Sequence, residues 1–219
     1  MTKSNGESPS LRTFLRDLEK DSPEQIVRIS KEVDHYFEVT AVLEKLEKEQ
    51  KFPVVIFENV KGCTHPVVTN VHADAERLFR AIGVNSGGVK AFLKEYGDRE
   101  MQEIPPVTVS EGPVQEVVIT GDDIDVTKLP LLTYHELDAG RYVTCGMSIM
   151  RDPDTDVLNA GIYRLMIHDE TSFGTQISET AHGHYIMKAH EKRDQPCPMA
   201  VVIGHHPAFY LGALSFTSL

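Results

Sequence analysis

The chain has 219 residues, with 22 lysines and arginines against 33 aspartates and glutamates, so its formal net charge is −11. This excess of negative charge argues against nucleic acid or an anionic membrane as its main partner. Apolar residues make up 41% and charged residues 25%, the composition of a globular protein that buries a core without disulfides. One to two domains are expected for this length.

The three cysteines, Cys63, Cys145 and Cys197, are widely spaced and form neither a CxxC motif nor a metal-finger pattern. Scattered thiols of this kind are typical of a reducing compartment, so we expect a cytoplasmic protein. The opening MTKSNGESPS lacks the apolar core of a signal peptide. No window approaches the 18 apolar residues of a membrane-spanning helix, so no membrane span is expected.

The first hundred residues combine helical and strand patterns. Leu11, Phe14, Leu15 and Leu18 follow helical spacing after Ser10, a residue suited to cap a helix. The other elements predicted here are a short segment opened by Pro23 in a first helical turn, a helix over 37–49, strands over 52–57 and 66–69, and helices over 75–82 and 89–96. These patterns predict an α/β unit.

Two adjacent prolines, Pro105 and Pro106, mark a change from helical to strand patterns. We therefore expect an N-terminal α/β domain over residues 1–104 and a β-rich domain over residues 105–219. The elements predicted in the second domain are strands over 114–120, 142–150, 158–168, 172–178 and 198–203 and helices over 181–193 and 207–214. A turn at 152–155 makes the second and third of these strands a hairpin, and 198–203 is expected to be a core strand.

The densest set of side chains able to bind a metal or an anion lies late in the chain. It consists of Asn159, Arg164, His168, His182, His184, His190, His205 and His206. Asn159 and Arg164 are five positions apart, and an odd separation puts two side chains on opposite faces of a regular strand. A shared site would need a β-bulge, which Gly161 could supply.

Each of these residues also has an ordinary structural interpretation. Asn159 fits a turn, and Arg164 fits a surface ion pair. His182 and His184 stand at the predicted start of a helix, where free N–H groups also favour a bound anion. The run 205–207 is expected to shape a strand-to-helix turn.

Several catalytic and ligand motifs are missing. The chain contains no GxSxG, Walker A, GxGxxG or HExxH sequence. The acidic run 122–125 lacks the spacing of a calcium loop, so we expect a solvated turn there.

The block NAGIYR at 159–164 resembles a sequence block of the UbiD family of non-oxidative decarboxylases. This family includes 3-polyprenyl-4-hydroxybenzoate, phenolic acid and cinnamic-type acid carboxy-lyases. The other similar blocks follow in the expected order: LRTFL at 11–15, FENVKG at 57–62, GDDID at 121–125 with LP at 129–130, DAGRYVT at 138–144, RDPDT at 151–155 and GHHPA at 204–208. On these blocks, which extend over nearly all of the chain, it is identified as a member of the UbiD family.

The resemblance implies that the second domain is a split barrel of the flavin-reductase-like type that binds prenylated FMN with Mn²⁺ or Mg²⁺ and K⁺. It implies that Asn159 and Arg164 lie at the cofactor phosphate. Asn159 is then a metal ligand, and Arg164 also faces the substrate carboxylate as the catalytic residue of this chain. The second metal ligand falls on His182, or on His184 if a small gap is allowed.

Within the same block, Gly161 and Ile162 are counted among the cofactor-binding residues. The implied activity is reversible non-oxidative decarboxylation of an aromatic or α,β-unsaturated carboxylic acid. The implied partners are a flavin prenyltransferase that supplies the cofactor and further copies of the full-length chain in a homo-oligomer.

The chain ends at Leu219, directly after an apolar run, and this leaves open a natural short protein or the front part of a longer one. The family's third metal ligand and both Glu residues of its Glu–Arg–Glu arrangement are expected beyond Leu219. We therefore expect the chain alone to be inactive, its second domain to be incomplete at the C-terminal end, and residues 209–214 to form an exposed apolar patch. The alternative function is a truncated UbiD-like domain that binds cofactor or phosphate without decarboxylase activity.

Overall fold

The computed structural model describes residues 7–102 and 104–215. The first part contains α1 (Leu11–Asp21), β1 (Ile26–Ile29), α2 (Glu38–Lys48), β2 (Val54–Phe57), β3 (Val67–Thr69), α3 (Ala75–Ala81) and α4 (Gly88–Glu100). The later part contains β4 (Tyr142–Val143), β5 (Met147–Arg151), β6 (Leu158–Ile162), β7 (Leu165–Ile167), β8 (Phe173–Thr175), α5 (His182–Glu191), β9 (Met199–Val202) and α6 (Pro207–Gly212). Among the described residues, no helix combines the length and the apolar character needed to cross a membrane.

Strand β2 is the centre of the N-terminal sheet, parallel to β1 and antiparallel to β3. All four of its residues are buried. Val54 and Ile56 pack in a cluster with α1, whereas Val55 and Phe57 pack in a cluster with α2. A central strand covered by helices on both faces must be apolar on both, which explains the continuous VVIF run. The predicted α/β unit is confirmed.

Strand β1 was not predicted. Pro23 opens only a 3₁₀ turn, Pro23–Gln25, and the chain then extends instead of continuing as a helix. Parallel pairing with β2 stabilises this short segment, and a pairing between distant residues leaves no local pattern in the sequence. The predicted cap of α1 is confirmed, because Ser10 Oγ accepts a hydrogen bond from the N–H of Thr13 at 3.1 Å.

The later part of the chain contains a two-stranded ribbon that bends in its middle. One half pairs β4 with β7 and the other half pairs β5 with β6, both antiparallel. Residues 144–146 connect the halves on one strand, and residues 163–164 connect them on the other. Three residues therefore face two, which is the extra residue that defines a β-bulge and bends a strand. Because of this bend, the halves join different sheets, ordered β4-β7-β8 and β6-β5-β9.

The bend corrects the predictions for this region. The strands expected over 142–150 and 158–168 are each divided into two. Gly161 pairs regularly with Ser148, so the predicted bulge at Gly161 is wrong. The irregularity lies at residues 163–164, between β6 and β7. The predicted turn between β5 and β6 is confirmed, because the carboxylate of Asp152 accepts hydrogen bonds from the Asp154 N–H and the Thr155 hydroxyl, both at 2.9 Å.

Two small sheets take the place of the expected split barrel. The described residues contain no closed barrel, so the flavin-reductase-like description is not confirmed. No strand forms over 114–120, where Val114 and Val117 are 87% and 77% exposed. Strand β9 forms as predicted but not in a core, because it is the edge strand of its sheet and its first two residues are exposed.

Helix α6 packs against α3 of the N-terminal part. Leu211 is buried there, and its carbonyl accepts a hydrogen bond from the Tyr96 hydroxyl at 3.1 Å. The ring of Tyr210 stacks on His72 with 4.1 Å between ring centroids. The expected apolar patch is therefore wrong in part, since only its Phe209 and Leu214 remain exposed. The division into domains 1–104 and 105–219 stays a prediction.

The stability of the folded chain is expected to fall in mild acid because of His72. Its Nε2 atom is buried and has no hydrogen-bond partner in the described part of the chain. Burial, helped by the nearby His205 and Arg77, lowers the pKa of His72 to about 4 from its ordinary 6.5. The unfolded chain takes up this proton first, so stability is full above pH 6.5 and falls from there toward pH 4. We expect this histidine to account for a loss of about 1–2 kcal/mol between pH 7 and pH 5.

The variant His72→Phe isolates this effect, because it keeps a ring against Tyr210 and removes the titration. Its free energy of unfolding, measured by urea denaturation at pH 7 and pH 5, should fall by less than that of the wild type. His135→Phe, at an exposed histidine, serves as the control. Equal losses in the wild type and in His72→Phe would contradict the prediction.

Candidate functional site

Asn159 and His182 meet where strand β6 faces the start of helix α5. The Nδ2 atom of Asn159 lies 3.4 Å from Nδ1 of His182. Asn159 pairs with Met150 on β5, and paired residues point to the same face. Met150 touches the position where a Cβ on Gly183 would lie, so this face is the one covered by α5. Strand register and helix start together place the amide beside the imidazole.

The Asn159 side chain has an unpaired oxygen at this point. Its Oδ1 atom is buried and has no hydrogen-bond partner among the described residues. A buried acceptor left unpaired costs about 1–3 kcal/mol, so this oxygen needs a partner such as a water molecule, an ion or a ligand. A half-turn of the amide exchanges Oδ1 with Nδ2 and brings the oxygen beside His182. A hard oxygen and an imidazole nitrogen are donors that fit Mn²⁺ or Mg²⁺.

This pair is smaller than a complete metal centre. In residues 7–102 and 104–215, no group of three or more His, Cys, Asp or Glu side chains is arranged to hold a metal ion. A metal bound by Asn159 and His182 would have two donors from this pair and would need further donors from a phosphate, from water or from residues outside the described ranges.

Arg164 lies in the bend between β6 and β7, and its side chain is exposed. Its guanidinium carbon is 5.1 Å from the centre of the Tyr142 ring, within the range of a cation–π interaction. Its carbonyl accepts a hydrogen bond from the Thr175 hydroxyl at 3.2 Å. Because Arg164 is outside a regular strand, the alternation of strand faces does not fix its direction relative to Asn159. The guanidinium is held over an aromatic ring with its planar donor edge available to an anion.

Tyr163 shapes this site and was missed by the sequence analysis. Its hydroxyl accepts a hydrogen bond from the N–H of Gly183 at 3.1 Å. Its ring also lies against Gly161, since a Cβ on Gly161 would be 2.7 Å from the Tyr163 hydroxyl. The signal available in the sequence was the pair of glycines, one two positions before the tyrosine and one directly after His182. Neither glycine by itself indicates which side chain it makes room for.

Of the two candidate histidine ligands, His182 is the one whose ring lies beside the Asn159 amide. The Nδ1 atom of His184 is buried without a hydrogen-bond partner among the described residues. The assignment of ligands and of cofactor contacts, including those of Gly161 and Ile162, stays a prediction.

The other histidines of the predicted cluster lie elsewhere, so the cluster is not one site. His206 caps α6 through its Nδ1 atom, which confirms the expected strand-to-helix turn. A ring nitrogen of His190 lies 3.1 Å from the carbonyl oxygen of Arg151, at the far end of α5. The ring of His168 lies over Gly174 in the β7–β8 hairpin.

The variant Gly183→Ala tests how tightly the strand and the helix are held together. A new Cβ would lie 2.5 Å from the Tyr163 hydroxyl and 2.6 Å from the methyl carbon of Met150. We expect a loss of about 1–2 kcal/mol in the free energy of unfolding, because overpacking outweighs the better helix propensity of alanine. Urea denaturation measures this loss.

Gly97→Ala is the matched control, because Gly97 lies inside helix α4 with no atom within 4 Å of the new Cβ. It should gain about 0.5–1 kcal/mol. A similar gain in Gly183→Ala would show that the contact with Tyr163 is not tight.

Comparison with known families assigns the chain to a class of proteins. Residues 17–97 match the model of the 3-octaprenyl-4-hydroxybenzoate carboxy-lyase N-terminal domain. Residues 106–218 match the model of the 3-octaprenyl-4-hydroxybenzoate carboxy-lyase Rift-related domain. The second match covers more than half of the chain and includes both Asn159 and His182. The chain belongs to the UbiD family.

Solved structures of UbiD-class enzymes share this fold. HmfF from Pelotomaculum thermopropionicum, in complex with FMN, matches with a TM-score of 0.86 at 32% identity, over 95% of this chain and 45% of that chain. An evolved dimeric form of HmfF, in complex with prFMN, matches with a TM-score of 0.87 at 33% identity, over 96% of this chain and 47% of that chain. Vanillic acid decarboxylase from Sedimentibacter hydroxybenzoicus, in its closed form, matches with a TM-score of 0.85 at 28% identity, over 94% of this chain and 45% of that chain.

A relative known from its sequence is an uncharacterized protein of Aquifex aeolicus (strain VF5). It is 31% identical over an alignment of 221 positions, which covers 90% of this chain and 44% of that protein. The chain therefore spans a little under half the length of the relatives that it matches.

Proposed function

We propose that this chain forms the cofactor-phosphate and metal side of a UbiD-class carboxy-lyase that uses prenylated FMN. The observation that carries this proposal is the unpaired Oδ1 of Asn159, whose side-chain amide lies beside the imidazole of His182, in a chain of the UbiD family. The relatives support the cofactor class, since HmfF is bound to FMN and its evolved form to prFMN.

In this function Asn159 and His182 hold Mn²⁺ or Mg²⁺, and the metal offsets the charge of the cofactor phosphate. Gly161 and Ile162 lie on the same strand and border the cofactor, and K⁺ shares the phosphate site. The exposed guanidinium of Arg164 offers a planar pair of donors that matches a phosphate or a carboxylate. When bound, the cofactor accepts the electron pair released as CO₂ leaves, while the protein positions and polarises.

The substrate in this proposal is an aromatic or α,β-unsaturated carboxylic acid. One solved relative is a vanillic acid decarboxylase, whose substrate is an aromatic acid. Arg164 orients the carboxylate, and the acid/base Glu residues come from the part of the protein beyond Leu219. A flavin prenyltransferase supplies the cofactor, and the full-length enzyme is a homo-oligomer. If the full-length enzyme consumed only saturated acids, the substrate class would be wrong.

The chain is expected to bind Mn²⁺ in the presence of FMN, through Asn159 and His182. Asn159→Ala and His182→Gln should each weaken Mn²⁺ binding by about 10-fold or more, the usual scale for a damaged metal site. Loss of the free Mn²⁺ signal in electron paramagnetic resonance measures the binding. His135→Gln, at an exposed histidine, is the control.

If His184→Gln weakens binding and His182→Gln does not, then the ligand is His184. Unchanged binding in Asn159→Ala contradicts the proposed metal site itself.

The chain alone is expected to show no decarboxylase turnover. It has Arg164 but lacks the family's two acid/base Glu residues, and general acid–base catalysis contributes about 10²–10⁴-fold. The test is CO₂ release by the purified chain with prenylated FMN, Mn²⁺, K⁺ and a panel of aromatic and α,β-unsaturated acids. Turnover of about 1 s⁻¹ would show that the site is complete without further residues.

The second candidate function is cofactor or phosphate binding without decarboxylation. The observation that favours it is the length, since the chain covers only 44% to 47% of its relatives. If turnover appears when the chain is joined to the remaining half of a relative, the carboxy-lyase function is favoured. Binding that never leads to turnover would favour the second candidate.

A further inference from the structure

Helix α5 begins without a side-chain cap of its own. Ala181 stands at the cap position and has no side-chain oxygen to accept a hydrogen bond. The first N–H groups of a helix have no partner within the helix and need acceptors from elsewhere. The N–H of Gly183 finds one in the hydroxyl of Tyr163, at 3.1 Å. A tyrosine from the bend of the ribbon therefore replaces the missing local cap.

The Tyr163 ring is also wedged between the strand and the helix. A Cβ on Gly161 of strand β6 would lie 2.7 Å from the hydroxyl oxygen, and one on Gly183 of helix α5 would lie 2.5 Å from it. These distances are shorter than normal contacts, so the ring fits only because both positions are glycine. The hydroxyl end of one aromatic ring and one hydrogen bond thus join β6 to α5 at this point.

The strand and the helix that Tyr163 joins each carry one residue of the candidate metal site. Asn159 lies two positions before Gly161 on the same face of β6, and His182 directly precedes Gly183. Tyr163 thus lies against the residue two positions after Asn159 and the residue directly after His182, and the side chains of this pair are 3.4 Å apart.

We propose that Tyr163 is a positioning residue that holds His182 at the correct separation from Asn159 for metal binding. The proposal rests on the proposed function, since it concerns the same metal. The role proposed for Tyr163 is to hold the start of the helix and not to bind the metal, because its hydroxyl accepts a hydrogen bond from the Gly183 N–H. Without that hydroxyl the first turn of α5 loses an acceptor, and the imidazole of His182 gains freedom to leave the amide.

The test variant is Tyr163→Phe, which keeps the ring and removes only the hydroxyl. We expect it to weaken Mn²⁺ binding, with FMN present, by about 10-fold, as other residues that orient metal ligands do. The control is Tyr185→Phe on the same helix, where the tyrosine is 73% exposed. The control should bind Mn²⁺ as the wild type does.

Two further measurements separate positioning from a general loss of structure. In the Asn159→Ala background, Tyr163→Phe should have no additional effect, because it acts through the same pair. Electron spin-echo modulation from the imidazole nitrogen of His182 should be present in the wild type and weaker in Tyr163→Phe at saturating Mn²⁺.

Hydrogen exchange of the Gly183 amide measures how well the hydrogen bond to the Tyr163 hydroxyl protects it, and this measurement needs no metal. Tyr163→Phe should exchange this amide about 10-fold faster, with the rest of α5 unchanged. Normal Mn²⁺ binding and an unchanged imidazole signal in Tyr163→Phe would overturn the positioning role and leave the metal site intact. If the wild type binds no Mn²⁺, the metal site and the positioning role are both wrong, and exchange then shows whether Tyr163 caps the helix.

Discussion

The bend in the ribbon formed by β4–β5 and β6–β7 is the constraint on which the candidate site depends. At the bend one strand carries three residues where its partner carries two, and the two halves of the ribbon belong to different sheets. Tyr163 and Arg164 lie in this irregular stretch, outside the alternation of strand faces. One of them turns to the start of helix α5 and the other to the ring of Tyr142. Regular pairing before the bend fixes the direction of Asn159.

The N-terminal part holds helix α6, at the end of the described chain, against helix α3. Arg77 on helix α3 is only 3% exposed and donates hydrogen bonds to the side chain of Gln25 and to the carbonyls of Phe52, Asn70 and Val71. Burial lowers the pKa of Arg77, and these acceptors compensate for the lost hydration. The helix that this arginine fixes is the one against which α6 packs. The end of the described chain is thus held on a rigid surface.

The sequence predicted the elements whose pattern is local. The apolar spacing and the cap of α1 and the Asp152 turn all depend on residues within a few positions of each other, and all are present. The VVIF run predicted a strand by its β-branched and aromatic residues, and the structure shows that both faces of this strand are covered. Strand β1 and the failure of the strand over 114–120 depend on whether a distant segment pairs with them. A pairing partner leaves no trace in the local sequence. This is why β1 was missed and why a strand was wrongly predicted over 114–120.

The sequence by itself determined the family and the residues of the candidate pair. The NAGIYR block and the other blocks in their order marked the chain as UbiD-like, and they pointed to Asn159, Arg164 and His182 before any geometry was known. Only the tertiary structure decided that His182 lies beside Asn159, because the two are 23 positions apart and meet through packing of α5 on β6.

The tertiary structure also showed that the bulge lies at the connection that contains Tyr163 and not at Gly161. It showed that the Tyr163 side chain packs between Gly161 and Gly183. The physical reason is that strand register and close packing are set by contacts between segments that are distant in the sequence. A residue's type and its spacing from its neighbours record the chemistry it can perform. They do not record which distant backbone it will touch.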